Sequence, residues 1–203
     1  MTGGPDRRPR PSGRAEVTEA LLDAAEIELV RHGAAHASIR RIAAAARVNH
    51  GLVHRYFGAK SNLVAAVLAR LSFRTADQLA GDAPLVEVLA TDGPVARHLR
   101  ILARLILDGE DLAALQPEHP AIGALVADAV KDGGAPLELA QVRVAQVIAL
   151  VFGWHLFEPF LLDASGASPD LARAELPGAV AALAALRPAG DRPAARRGAG
   201  AGD

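Results

Sequence analysis

Apolar positions recur at helical spacing along most of this chain. Val17, Leu21, Ala24, Ala25 and Leu29 share one face of a helix predicted over residues 15–32, with Gly33 as its stop. Ile39, Ile42, Ala43 and Ala46 stand at i, i+3, i+4 and i+7, a buried stripe of about two turns for which Ser38 is the natural N-cap. A second short helix starts near Asn49, also an N-cap type. Val53 and Phe57 mark its inner side at i, i+4, and Val48 sits at the turn before it. Its opposite face is centred on Gly51 and Arg55 and flanked by Leu52 and His54, an odd set for a helix facing only water.

Past Lys60 another amphipathic helix runs to about Gly81. Residues 84–90, 94–107 and 120–131 read as three shorter helices, each opened by a proline, which suits a first turn. The stretches TDG, DGED and KDGG between them are turn chemistry. A strongly apolar helix follows over 136–162, with a bend expected at Pro159, and a last one over 169–186 is open to a break at Pro177. Residues 1–13 and 188–203 are too rich in Pro, Gly and Arg to pack and are expected to be flexible tails. Arg7, Arg8 and Arg10, with Arg14, form a candidate minor-groove arm.

Charge sharpens this picture. From Ser38 to Lys60 there are five cationic residues and no acidic one. Residues 1–60 carry ten Lys and Arg against six Asp and Glu, whereas the remainder carries twelve against seventeen, so the overall balance of −1 conceals a basic amino-terminal part. That asymmetry is expected when only one end meets nucleic acid. Gly51 permits close approach, Arg55 can bond guanine edges or phosphate, and Leu52 can meet a thymine methyl.

Residues 14–64 resemble the DNA-binding domain of the tetracycline-repressor (TetR) family of transcriptional regulators. The likeness rests on the pair Ile42 and Ala43, Val48, Gly51, the pair Tyr56 and Phe57, Lys60 and Leu63. It implies an all-α fold: a three-helix domain with a helix-turn-helix at 14–64, then a helical ligand-binding and dimerisation domain at 65–187. It further implies a homodimer that reads a palindromic operator in double-stranded DNA and answers to a small-molecule effector. By the same resemblance Asn49, His50, Gly51, Leu52 and Arg55 face bases. Ser38, His54, Tyr56 and Lys60 hold phosphates, and Arg47, in the turn, joins the DNA-facing set. Three positions depart from the family pattern: Arg47 stands where glycine is usual, His54 where tyrosine is usual, and Ala59 where a serine or threonine cap is usual.

Composition removes other classes. With no cysteine, neither disulfides nor thiol chemistry are available. The start of the chain lacks the apolar core of a signal peptide, and the longest uncharged stretch, 144–157, is shorter than the ~20 residues a bilayer span needs. A cytoplasmic protein with no membrane partner is expected. No phosphate-cradling glycine loop, HExxH or GxSxG elbow occurs, so neither catalysis nor a cofactor is expected. His155 and Glu158 form an i, i+3 pair without a second such pair, and no metal is assigned to them. Aromatics are only 3% of residues, so an effector pocket should be lined mainly by Leu, Val, Ile and Ala and take a hydrophobic or amphipathic molecule. Candidate wall residues with some chemistry are Phe73, His98, Arg104, His119, Trp154 and His155. Two other readings stay open, a DNA-binding regulator without a ligand and a helical small-molecule-binding domain without specific DNA recognition.

Overall fold

A computed structural model describes residues 10–79, 93–131 and 134–185. Most of both expected tails and the expected helix at 84–90 lie outside the described residues. Among the described residues the chain is all-α, with no strand. The helices are α1 (Gly13–His36), α2 (Ile39–Ala45), α3 (Gly51–Phe57), α4 (Lys60–Leu79), α5 (Pro94–Leu107), α6 (Leu112–Leu115), α7 (Pro120–Lys131), α8 (Leu137–Ser165) and α9 (Pro169–Ala185).

Local chemistry explains most ends. Pro94 opens α5 in the first turn after Gly93, as its fixed φ favours. Gly166, at φ 68° and ψ 17°, stops α8 in the left-handed conformation glycine adopts freely. Gly33 leaves helical geometry at φ 71°, as a stop should, but one more turn follows, so α1 reaches His36. The one-turn α6 follows directly on the DGED turn, in a stretch for which no helix is predicted; Asp111 caps it by accepting from the Ala114 N–H at 3.2 Å.

Pro159 and Pro177 both lie inside helices that run on past them. Each removes one backbone hydrogen bond, and tertiary contacts hold the flanking turns. Leu176 and Val180, on either side of Pro177, are buried with Val147 and Val151 of α8 and Val95 of α5. Arg173 of α9 donates to Glu158 at 2.9 Å, next to Pro159.

The larger core joins α1 to α4 through Leu21, Leu29, Ile42, Val53, Leu63, Leu68 and Leu71, and it also takes in Ile101 and Leu105 of α5. Packing therefore continues across the boundary expected at residues 64 and 65. A polar link runs beside it. Glu26 of α1, buried, accepts from Arg70 of α4 at 2.8 Å and from Arg97 of α5 at 2.6 Å, while Arg70 also donates to Asp23 at 2.7 Å.

At 29 residues, α8 is long and apolar enough to cross a membrane by length and composition. The sequence argument against a span counted only the uncharged stretch, and the folded helix is longer. Here α8 packs against α5, α7 and α9, and Leu156, Phe157, Phe160 and Leu161 remain exposed on it.

Candidate nucleic-acid interface and internal cavity

The helix-turn-helix is seated on α1 by one buried carboxylate. Glu28 accepts from the Ser38 N–H at 3.2 Å and from Arg41 Nε at 2.6 Å, with His32 at 3.8 Å. Burial alone would raise the Glu28 pKa, but the Arg41 and Ser38 hydrogen bonds and the Arg41 and His32 charges outweigh it and hold the pKa below its ordinary value. Ser38 caps α2 by accepting from the Arg41 N–H at 3.4 Å.

The turn into α3 keeps the backbone shape that glycine would favour, with a different residue. Arg47 sits at φ 58°, and among the described residues it alone other than glycine has a positive φ. The Val48 N–H closes the turn on the Ala43 carbonyl at 3.0 Å. Replacing Arg47 by glycine should stabilise the fold by about 1 kcal/mol, because a left-handed L-residue costs roughly that much. Urea denaturation of the two proteins checks this, and an unchanged midpoint would contradict it.

Asn49 stands one residue before the N-cap, His50, which makes no side-chain cap bond, and the Asn49 Oδ1 accepts from the Gly51 N–H at 2.8 Å. A Cβ on Gly51 would lie 3.2 Å from that oxygen, so the glycine has a local reason besides room for a partner. Val53 is fully buried and anchors α3, which leaves Asn49, His50, Gly51, His54 and Arg55 exposed. Arg55 makes no hydrogen bond or ion pair among the described residues.

Other candidate DNA contacts have intramolecular partners. Leu52 and Tyr56 are half-buried against the larger core. The Arg14 guanidinium lies 5.7 Å from the centre of the Tyr56 ring, which ties the start of α1 to α3. His54 Nδ1 donates to the Gly58 carbonyl at 3.1 Å, and Lys60 Nζ donates to the Ala35 carbonyl at 3.4 Å. Ala59 supplies no side-chain cap. Asn62 instead spans the α3–α4 turn, donating to the Phe57 carbonyl at 2.8 Å.

The second site is a cavity of about 240 Å³ between α4, α5, α7 and α8. Leu102, Ile106, Leu125, Val147, Ile148 and Phe152 make up much of its wall. One polar strip crosses it. The Thr75 hydroxyl donates to His98 Nδ1 (3.4 Å), His98 Nε2 donates to Gln116 Oε1 (2.9 Å), and the Gln116 amide donates to His119 Nδ1 (3.3 Å). Thr75, His98 and Gln116 are buried and His119 is exposed, so the strip runs from the interior to the surface.

Of the six wall candidates, the structure brings His98 and His119 to this cavity and leaves four elsewhere. Phe73 points to solvent on the outer face of α4. Arg104 packs over Gly33, its Cδ 3.5 Å from where a Cβ there would stand. Trp154 fills in against the Val147, Val151 and Leu176 cluster. His155 Nδ1 donates to the Val151 carbonyl at 3.1 Å, and Glu158 is taken by Arg173. Ser72, Thr75 and Gln116 also line the cavity, and no pattern in the sequence points to them. Gln116 lies just beyond the unforeseen α6, where no periodicity marks an inward side.

Burial is the main cause lowering the His98 pKa; Gln116 opposes it and the His119 charge adds to it. The folded state therefore binds its proton only at lower pH than the unfolded state. Stability from this residue is complete above the unfolded value near 6.5 and is lost as pH falls toward the folded value, by at most ~1.4 kcal/mol per pH unit. His98→Gln should flatten the decline in melting temperature below pH 6.5. An unchanged slope in the variant would count against a buried neutral His98.

A helix-turn-helix seated on α1, with an exposed cationic helix start, carried on a helical body with an apolar cavity, defines the class of helix-turn-helix DNA-binding regulators. Residues 21–67 match the sequence profile of the bacterial regulatory proteins of the tetR family. The chain is 43% identical over 161 residues to the HTH-type transcriptional repressor Rv3405c of Mycobacterium tuberculosis, covering 79% of this chain and 84% of that protein. It is 48% identical over 56 residues to the HTH-type transcriptional repressor SCO4008 of Streptomyces coelicolor, 27% of this chain and 29% of that one. Among solved structures, the transcriptional regulator SCO4942 of Streptomyces coelicolor matches with a TM-score of 0.58 at 25% identity, covering 81% of this chain and 96% of that one. A TetR-family regulator from Rhodococcus sp. shares the fold, with a TM-score of 0.60 at 20% identity over 84% and 99% of the two chains. This chain belongs to the TetR family of DNA-binding transcriptional regulators.

Proposed function

We propose that the protein is a repressor that binds a palindromic operator as a homodimer in the cytoplasm and is released by a hydrophobic or amphipathic small molecule. The observation that carries the DNA half is the exposed, acid-free start of α3. Arg47, Asn49, His50, Gly51 and Arg55 stand out from a helix pinned by buried Val53. In this reading Asn49 through Leu52 and Arg55 approach base edges in the major groove, and Ser38, His54, Tyr56 and Lys60 approach phosphates. The exposed Leu156, Phe157, Phe160 and Leu161 of α8 and Leu171 of α9 support a second copy as the dimer partner, since water is a poor neighbour for that much apolar surface. The cavity supports the effector half, as it is enclosed by the helix that leaves the DNA-binding part and by α5. Release follows if the effector changes the separation of the two reading heads, because half-sites on DNA have fixed spacing.

The test is titration of the protein onto its own promoter-region DNA and onto random DNA over a salt series. Tight, promoter-preferring binding is expected. Equal, weak and steeply salt-dependent binding to both would reduce the basic face to electrostatics and favour a helical binding domain without specific DNA recognition. Sedimentation showing only monomer at micromolar concentration would overturn the dimer and palindromic binding with it.

A further inference from the structure

The lining of the cavity is selective in its chemistry. Among the described residues that line it there is no Asp, Glu, Lys or Arg. Its polar groups are Ser72, Thr75, His98, Gln116 and His119, and the last four are already linked in one directional chain. Each donor in that chain points the same way, from Thr75 toward His119. His98 therefore carries its proton on Nε2, and His119, which accepts at Nδ1, carries its own on Nε2.

What the chain leaves over decides what it can recognise. Gln116 has a second amide N–H, His119 has its Nε2–H, and Ser72 has a hydroxyl one turn from Thr75 on α4. Among the described residues these donors have no partner on the strip, and donors match an oxygen acceptor. Among the described residues of this wall a ligand cation would find no carboxylate. A ligand carboxylate would find donors there but no fixed positive charge, and would lose its hydration on entering an apolar space. The rest of the wall, Leu102, Ile106, Leu125, Val147, Ile148 and Phe152 among it, is hydrocarbon. Its volume of about 240 Å³ exceeds the ~150 Å³ of an apolar cavity that holds benzene.

We propose that the cavity takes an uncharged molecule with one hydroxyl or carbonyl head and a hydrocarbon body, the head seated on the Ser72, Thr75, His98, Gln116 and His119 strip. This deepens the reading of the cavity as the effector site and rests on it. His119, Ile122 and Ile148 also line the neighbouring groove between α7 and α8, so the strip ends where the cavity meets that groove.

Calorimetric titration of the full chain, free of DNA, with four probes of one tail length tests the head group: 1-octanol, 2-octanone, octanoate and octyltrimethylammonium at neutral pH. The two uncharged probes should bind at least about tenfold more tightly than either ion. Gln116→Met, which keeps the side-chain volume, and Ser72→Ala each remove one of the donors left over. Each should weaken 1-octanol about five- to tenfold while leaving toluene, which has no polar head, unchanged. If a variant fails to fold, the head-group series on the unaltered protein still decides. Equal or tighter binding of an ion, no effect of a folded variant on 1-octanol, or no binding by any probe would each overturn the proposal. Operator titration uses ligand-free protein, so failure of the DNA reading leaves the calorimetric result intact, and failure of the head-group series leaves operator binding intact.

Discussion

Operator affinity should fall by about 2–6 kcal/mol per dimer when Arg55 is replaced by alanine, since each good base contact is worth about 1–3 kcal/mol and a dimer makes it twice. The loss comes without damage to the fold. Arg55 is exposed and has no intramolecular partner among the described residues, and the α3 anchor, Val53, is untouched. Melting temperature and sedimentation should match the parent protein while the promoter titration shifts. Retained operator affinity would mean that the face presented to DNA has been misassigned. Tyr56→Ala makes a useful contrast. Tyr56 is half-buried against the core and carries Arg14 over its ring, so this variant should lose operator affinity together with some stability.

Replacing Glu26 by alanine should destabilise the protein by about 3 kcal/mol, the lower end of the range for removing one partner of a buried ion pair. Glu26 is 6% exposed and accepts from both Arg70 and Arg97. Arg70 keeps Asp23 and Glu19, which holds the cost down, while Arg97 loses the carboxylate 2.6 Å from its Nε. Urea denaturation measures the shift, and a change below ~1 kcal/mol would reduce the network to the rank of surface pairs. The same substitution bears on regulation. On α5, His98, Leu102 and Ile106 line the cavity, whereas Arg97, Ile101 and Leu105 meet α1 or the core around it. One helix therefore has the cavity on one face and the DNA-binding part on the other. α4, which leaves the DNA-binding part and lines the cavity, is one connection between the two, and α5 is a second, direct one.

The reading head was legible because its information is local. The Ser38 cap, the Ile39 to Ala46 stripe, the Asn49 start and the Val53 anchor all lie within one short contiguous stretch, and each acts through neighbours three or four positions away. Even the exceptional Arg47 was visible as a residue where glycine is usual, and its φ of 58° follows from the turn it must make. Helix ends were less legible. Gly33 leaves helical geometry as the predicted stop does, yet one more turn follows it. α8 continues through Pro159, as expected of it, while α9 is not broken at Pro177, where the packing of Leu176 and Val180 holds the turns on either side.

Periodicity in the chain by itself determined the all-helical class, the helix-turn-helix and which side of each short helix is buried, because helix formation and capping depend on nearest neighbours along the chain. Only the tertiary structure decided the membership of the cavity wall and the link between α1 and α5. Glu26 and Arg97 are 71 positions apart, Thr75 and His98 are 23 apart, and His98 and Gln116 are 18 apart. No local pattern encodes such pairings; they arise when helices pack, and packing put His98 and His119 on the cavity while turning Phe73, Arg104, Trp154 and His155 away.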